Sequence, residues 1–259
     1  MHMQIVSSPL SSSSSLAVSE CCRNNLLYYW HIIICGMITK EEIAQGYDKI
    51  TDHIGLSHAF YEECVGINKK YSGDILDIGC GRGFLLQRVG RQSEPDSRLS
   101  GLDISPKLCE LARKNNPGAV IVCGDAENLP FGDNSFDVIF MTEALEHMLD
   151  YDKALSEVHR TLRPGGMFIV TVPNRDWARY DFYDEKRNKS LQPVDDHFFR
   201  FTEIEGYLRR NHFKILQVKG LDNLWYYGPI HNVERVFAFL IPSLQKKMKR
   251  LLFKCVNEK

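Results

Sequence analysis

Residues Ile75 to Phe84 read Ile-Leu-Asp-Ile-Gly-Cys-Gly-Arg-Gly-Phe, and no other stretch of this chain restricts the fold so tightly. An apolar run broken only by Asp77 leads into glycines at alternate positions, Gly79, Gly81 and Gly83, and an apolar helical pattern starts at Phe84. Glycine admits positive φ and lets a ligand come close to the backbone. A helix opening just behind it offers free N–H groups and a positive dipole end. The stretch predicts a buried strand, a ligand-holding turn and a helix.

From Asp74 onward, short β-branched runs alternate with helical segments, the pattern of a parallel sheet covered by helices on both faces. The predicted strands are Ile75–Ile78, Leu99–Asp103, Ala119–Cys123, Phe136–Met141, Met167–Val172 and Phe213–Lys219, with Leu251–Val256 as a seventh at the sheet edge. Ser105-Pro106 is a helix start, serine as N-cap and proline at the first helical position. A helix from about Asp152 to Leu162 stops at Arg163-Pro164-Gly165-Gly166, and Thr202 with Glu205 forms a capping box for a helix ending near Asn211. Upstream, Thr39 with Glu42 opens a helix through about Asp52, and a second spans Ser57 to Tyr71 with Phe60, Cys64 and Ile67 on one face. Residues 37–73 thus read as a helical cap and 74–259 as the main α/β domain.

The first 36 residues are of a different character. Ser7 to Ser15 is almost all serine and too polar to bury, so residues 1–36 read as disordered or as an upstream extension. Leu26 to Met37 is apolar but only about a dozen residues long, where a membrane span needs roughly 20. Neither a transmembrane helix nor an export signal is read there. The eight cysteines form no CxxC pair and no zinc-type spacing. Cys80, Cys109 and Cys123 read as buried free thiols, which suits a reducing, cytoplasmic setting. Lys plus Arg number 32 against 33 Asp plus Glu. That balance argues against a protein built to grip a polyphosphate backbone.

The glycine turn has partners at fitting positions. Asp103 closes the second strand, where a carboxylate can accept from two ribose hydroxyls. Asp125 and Ala126 follow the third strand, where an acidic side chain can accept from an exocyclic amino group, and the fourth strand runs into Glu143. Together with Leu129-Pro130-Phe131, Phe136-Asp137-Val138-Ile139 and Leu162-Arg163-Pro164-Gly165-Gly166, these blocks resemble, in order, the class I S-adenosylmethionine-dependent methyltransferases. The resemblance covers about Tyr47 to the C-terminus. It implies a doubly wound, Rossmann-like, seven-stranded sheet with strand seven antiparallel, S-adenosylmethionine as cofactor, and transfer of a methyl group. The turn with Asp77, Gly79, Cys80, Gly81 and Gly83 is then expected to hold the methionine end, Asp103 the ribose, Ile104 the adenine face, and Asp125 with Ala126 the adenine edge. Glu143 borders the pocket.

Glu143-Ala144-Leu145-Glu146-His147 follows strand four at the carboxyl edge of the sheet. His147 is a candidate base oriented by Glu143 or Glu146. The segment also resembles the ExxEH stretch of quinone-biosynthesis O-methyltransferases and of small-RNA 3′-end methyltransferases. In some of these it binds a divalent cation, which would make Glu143, Glu146 and His147 ligands and His197 a fourth. In other relatives the segment only lines the pocket. The structural, base and metal readings stay open at this stage, with no metal as the leading expectation.

The insertion 174–201 carries Trp177, Tyr180, Phe182, Tyr183, Phe198 and Phe199 among Arg175, Arg179 and Arg200. It reads as an acceptor lid suited to a flat or anionic small molecule, with His197 within it. Val233, Val236, Phe237 and Leu240 form an apolar stripe ahead of Lys246, Lys247, Lys249 and Arg250, a basic end suited either to solvent or to peripheral contact with an anionic membrane. The chain is therefore expected to methylate a small molecule at oxygen or carbon, quinone-like or lipid-like. DNA is not expected as a partner, because the N/D-PP-Y/F/W tetrad of amino-directed DNA enzymes is replaced by Thr142-Glu143-Ala144-Leu145. An RNA 3′-end enzyme and a non-catalytic cofactor-binding protein are the alternatives. A dehydrogenase is disfavoured because its GxGxxG would need glycine at Phe84.

Overall fold

The computed structural model describes residues 38–51, 58–66, 69–177, 193, 197–221 and 242–259. Seven strands form one sheet: β1 (Asp74–Ile78), β2 (Arg98–Asp103), β3 (Val120–Cys123), β4 (Phe136–Thr142), β5 (Leu162–Pro173), β6 (Phe213–Leu221) and β7 (Arg250–Asn257). Their spatial order is β3-β2-β1-β4-β5-β7-β6. The first five strands run parallel, and β7 is antiparallel to both β5 and β6. The last strand is thus inside the sheet between β5 and β6, not at its edge as the sequence reading had it. Leu251, Phe253 and Cys255 are buried in the core on one face of the sheet and Leu252 in the core on the other, so β7 is covered on both faces, as suits an interior strand.

Helices α1 (Lys40–Lys49), α2 (His58–Val65), α3 (Phe84–Gln92), α4 (Pro106–Asn115), α5 (Tyr151–Thr161), α6 (Phe201–Arg210) and the short α7 (Pro242–Gln245) complete the described elements. Alternate strand residues go to opposite faces. Ile139, Phe168 and Phe253 pack with Leu155 and Val158 of α5 and Ile204 and Leu208 of α6. Val138, Phe140, Ile169 and Leu252 pack with Phe60 of α2 and Leu85 and Val89 of α3.

Local chemistry explains the boundaries. Ser105 caps α4, its hydroxyl accepting the Leu108 N–H at 3.0 Å, and Asp150 caps α5 by accepting the Lys153 N–H at 3.0 Å. Three expectations are corrected. Helix α2 ends at Val65 rather than Tyr71, because Gly66 turns into the left-handed region at φ +86. Tyr71 instead leaves the helix to pair with Ser93, and its hydroxyl donates to the Val65 carbonyl at 2.6 Å. Helix α6 is braced by Glu203, whose carboxylate accepts the Arg200 N–H at 3.2 Å, not by Glu205, which pairs with Arg209. Cys123 is exposed, because β3 is the edge strand and its neighbour Val120 is likewise 63% exposed.

Residues 1–36, the apolar segment Leu26 to Met37, lid residues Arg179, Tyr180, Phe182 and Tyr183, and the stripe Val233, Val236, Phe237 and Leu240 lie outside the described residues. Among the described residues no helix is long and apolar enough to cross a membrane.

Candidate active site

The chain leaves β1 toward β2 and β3 and returns to the opposite side at β4. A crevice therefore opens at the carboxyl ends of β1 and β4, where the strand order reverses. Because β7 runs the other way, its first residue, Arg250, pairs in register with Pro173 at the end of β5 and joins the same rim.

The turn after β1 shows why glycine is needed there. Gly79 has φ +69, and a Cβ on it would come within 2.6 Å of Ala144 Cβ, so the turn lies against the segment after β4 with no room for a side chain. The turn is anchored from β2. Gly79 and Cys80 N–H groups donate to the Leu102 carbonyl at 2.8 and 3.0 Å, and the Gly81 N–H donates to Asp103 Oδ2 at 2.8 Å. The other Asp103 oxygen accepts the Ser105 N–H at 2.9 Å. These bonds hold the carboxylate in one orientation. Burial pushes its pKa up, while the N–H bonds pull it down.

Asp77 is 1% exposed, and its Oδ1 meets no hydrogen-bond donor. Burial, followed by the negative charge of Asp103, drives its pKa well up. A buried carboxyl oxygen left unmatched is costly, and in a cleft it marks a place for a donor or cation from outside the chain. A cavity of about 310 Å³ lies there, and its walls include Asp77, the Gly79–Gly81 turn, Asp103, Ile104, Asp125, Ala126, Glu143, Glu146 and His147. Helix α1 supplies Lys40, Ile43 and Tyr47 to the same walls. Lys40 Nζ donates to Asp125 Oδ1 at 3.2 Å and to Glu127 Oε1 at 2.5 Å, while Asp48 accepts from Ser105 Oγ at 2.5 Å, so α1 is fastened at both ends to the loops after β2 and β3.

The segment after β4 separates the three candidate groups. Glu143 sits at φ +49, a conformation uncommon for a side-chain-bearing residue. It is held by its own N–H donating to Thr171 Oγ1 at 3.0 Å, by the Thr171 hydroxyl donating to its Oε1 at 3.0 Å, and by Arg250 Nε donating to Oε2 at 2.5 Å. Its charge is thereby matched by an arginine. His147 stands in the wall with Glu146 Oε1 3.9 Å from its Nε2 and Tyr47 edge-on at 5.9 Å between ring centroids. Burial lowers the His147 pKa to about 4. His197 does not line the cavity. Its Nε2 bonds Glu203 Oε1 at 2.9 Å, and its ring packs on Phe199 and Tyr151. Among the described residues no group of three or more His, Cys, Asp or Glu side chains is gathered as a metal-holding cluster. Of the basic C-terminal residues, Lys246 lies over the Phe201 ring, while Lys249 and Arg250 line the cavity.

Sequence reading missed Lys40, Thr171 and Arg250. A basic residue at a helix start or a strand start carries no local signal, because its partner is 85 or 107 positions away.

Strand order, the single antiparallel strand and the crevice position define the fold of class I S-adenosylmethionine-dependent methyltransferases. Residues 76–170 match the methyltransferase domain family. The chain is similar to a demethylmenaquinone methyltransferase of Symbiobacterium thermophilum, 32% identical over 54% of this chain and 59% of the relative. It is also similar to a ubiquinone/menaquinone biosynthesis C-methyltransferase of Burkholderia mallei, 29% identical over 73% of this chain and 84% of the relative. The geranyl diphosphate C-methyltransferase of Streptomyces coelicolor shares the fold, with a TM-score of 0.60 at 14% identity, covering 84% of this chain and 97% of that one. The chain spans 59%, 32% and 48% of the lengths of three curated relatives it matches.

Proposed function

We propose that this protein binds S-adenosylmethionine in the crevice and transfers its methyl group to a small-molecule acceptor, at oxygen or carbon. The observation that carries the reading is Asp77: a buried carboxylate oxygen without a donor, at the wall of a cavity that also holds the glycine turn and Asp103. In this reading Asp77 faces the ammonium group of the cofactor, and Gly79, Cys80, Gly81 and Gly83 allow its methionine end to lie against the backbone. Asp103 accepts from the ribose hydroxyls with the lone pairs its two N–H bonds leave over. Ile104 packs on the adenine, and Asp125 with Ala126 meets the adenine edge.

S-adenosylmethionine supplies a sulfonium-activated methyl group that needs only an acceptor lone pair in line with it. The chain's task is then to position the acceptor and exclude water, and to take a proton where the acceptor carries one. Tyr61, Phe84 and Phe198 provide flat apolar walls to the cavity, and Lys249 adds a cation. That lining suits an aromatic or quinone-like acceptor, in keeping with the names of the two relatives. His147 is assigned as proton acceptor. It stands in the cavity wall, and burial lowers its pKa to about 4, so the imidazole is neutral at neutral pH. Glu143 serves as pocket wall, because Arg250 and Thr171 already hold its carboxylate.

Calorimetric titration with S-adenosylmethionine, S-adenosylhomocysteine and NAD tests the cofactor assignment. Micromolar binding of the first two and none of NAD is expected, and absence of binding by the adenosyl ligands overturns the reading. Incubation with methyl-labelled cofactor and a cell extract then tests transfer. Labelled small molecules are expected; binding without any labelled product would instead indicate a non-catalytic cofactor-binding protein.

A further inference from the structure

Two cysteines flank the backbone that leads from β2 into α4. Cys123 ends β3, pairs in register with Asp103, and places its thiol 3.7 Å from the Ile104 carbonyl oxygen. Cys109, the fourth residue of α4, places its thiol 3.4 Å from the Asp103 carbonyl oxygen and 3.6 Å from that of Val122. The two thiols are also in hydrogen-bonding contact with each other. They differ in access: Cys123 is exposed on the edge strand, whereas Cys109 is buried. Burial, followed by the negative charge of Asp103, pushes the Cys109 thiol up to about 12, so it stays protonated at neutral pH. Only Cys123 meets an oxidant from solvent directly. An accessible thiol with a second thiol in contact behind it can take an oxidant at one sulfur and be resolved by the other.

We propose that Cys109 and Cys123 form a peroxide-oxidisable dithiol, and that its closure to a disulfide weakens ligand binding in the crevice. The dithiol stands on the thiol contact alone; its effect on the crevice rests on the cofactor reading given above. Hydrogen peroxide reacts first at Cys123. An S–O bond forms, the O–O bond breaks, and the sulfur gives up two electrons, leaving a sulfenic acid and one water. The Cys109 sulfur then attacks that of Cys123. The S–S bond forms as the S–O bond breaks, and the Cys109 proton leaves with the hydroxyl as a second water. Closure removes the S–H donors that face the Asp103, Val122 and Ile104 carbonyls and ties α4 to the end of β3. Asp103 and Ile104, assigned above to the ribose and the adenine, lie between the two tied points.

The test treats the reduced full chain with hydrogen peroxide and maps its tryptic peptides by mass spectrometry without reductant. Arg113 and Lys114 lie between the two cysteines, so trypsin puts them on separate peptides. Wild-type protein is expected to yield these peptides joined and lighter by two hydrogens, and dithiothreitol to part them. Cys123→Ser is expected to give no such species, and Cys109→Ser to leave Cys123 as a sulfenic acid that dimedone traps. Calorimetric titration with S-adenosylhomocysteine should show binding to oxidised wild type weakened by about 5- to 10-fold, as for loss of one positioned hydrogen bond, and restored by dithiothreitol. Peroxide-treated Cys123→Ser should bind like reduced wild type. The inference is overturned if Cys123 stays reduced in treated wild type or joins a different cysteine. It is equally overturned if the disulfide forms with Kd unchanged, or if treated Cys123→Ser loses affinity as wild type does. If reduced wild type binds no adenosyl ligand, the cofactor reading fails and the effect on the crevice with it, while the peptide map still decides the dithiol.

Discussion

Replacing Asp103 with asparagine probes the ribose assignment with little disturbance to the sheet. The carboxylate is 6% exposed and accepts two backbone N–H groups, from Gly81 at 2.8 Å and from Ser105 at 2.9 Å. Asparagine keeps one oxygen and turns an NH₂ toward the other donor. Leaving one buried N–H unmatched costs about 1–3 kcal/mol. Part of this is returned, because burial opposes the charge on Asp103 and that charge in turn raises the pKa of Asp77. The net loss of stability is then about 1–2 kcal/mol, small enough to leave the variant folded. The ribose hydroxyls lose a charged acceptor but retain a neutral one. Affinity should fall by about 1–3 kcal/mol, or about 5- to 150-fold in Kd. The measurement is a calorimetric titration of wild type and variant with S-adenosylhomocysteine, paired with urea unfolding of both. Asp103→Ala should weaken binding in the same direction and lose more stability, since both N–H groups are then orphaned. A wild-type Kd in the folded asparagine variant would refute the reasoning, because a ribose that lies elsewhere does not register this change.

Two further outcomes follow from geometry on the page. Gly83 sits at φ +76, and a Cβ there would lie 2.2 Å from Asn116 Nδ2, which donates to the Gly83 carbonyl; Gly83→Ala should destabilise by about 2–5 kcal/mol from left-handed strain and overpacking, read as a lower unfolding midpoint, and an unchanged midpoint would show that the turn is not built this way. Burial lowers the His147 pKa to about 4, so in acid the unfolded chain takes up a proton that the folded protein refuses. Stability is therefore complete above about pH 6.5 and declines as pH falls toward about 4, by at most about 3 kcal/mol, and His147→Phe should remove that part of the slope; parallel curves for the two proteins would rule out a buried neutral imidazole.

Features written in local chemistry could be read from the residues. The Ser105 cap, the glycine turn and the two-faced apolar strands depend on neighbours a few positions away, and each is found where the pattern puts it. Features set by distant partners could not. Leu162 begins β5 directly because it pairs with Phe136, although Pro164-Gly165-Gly166 reads locally as a loop; the register shift between Phe136 and Val138 absorbs those residues. The same limit applied to the candidate site. ExxEH presents Glu143, Glu146 and His147 as one cluster in sequence, yet Thr171 and Arg250 draw Glu143 aside. His197 looked like a lid histidine, and Glu203, six positions on, claims it. Gly66 was a stop signal for α2 that Ser72-Gly73 overshadowed.

The interior position of β7 bears on how the molecule is made. Until Arg250–Asn257 has left the ribosome, the twelve-residue strand β5 presents a long row of unmatched backbone groups, and β6 has no neighbour to join. A nascent chain caught at this stage is prone to wrong pairing with its own kind. The late strand also brings the guanidinium that fastens Glu143, so closing the sheet and finishing the wall of the crevice are one event in the life of the newly synthesised protein.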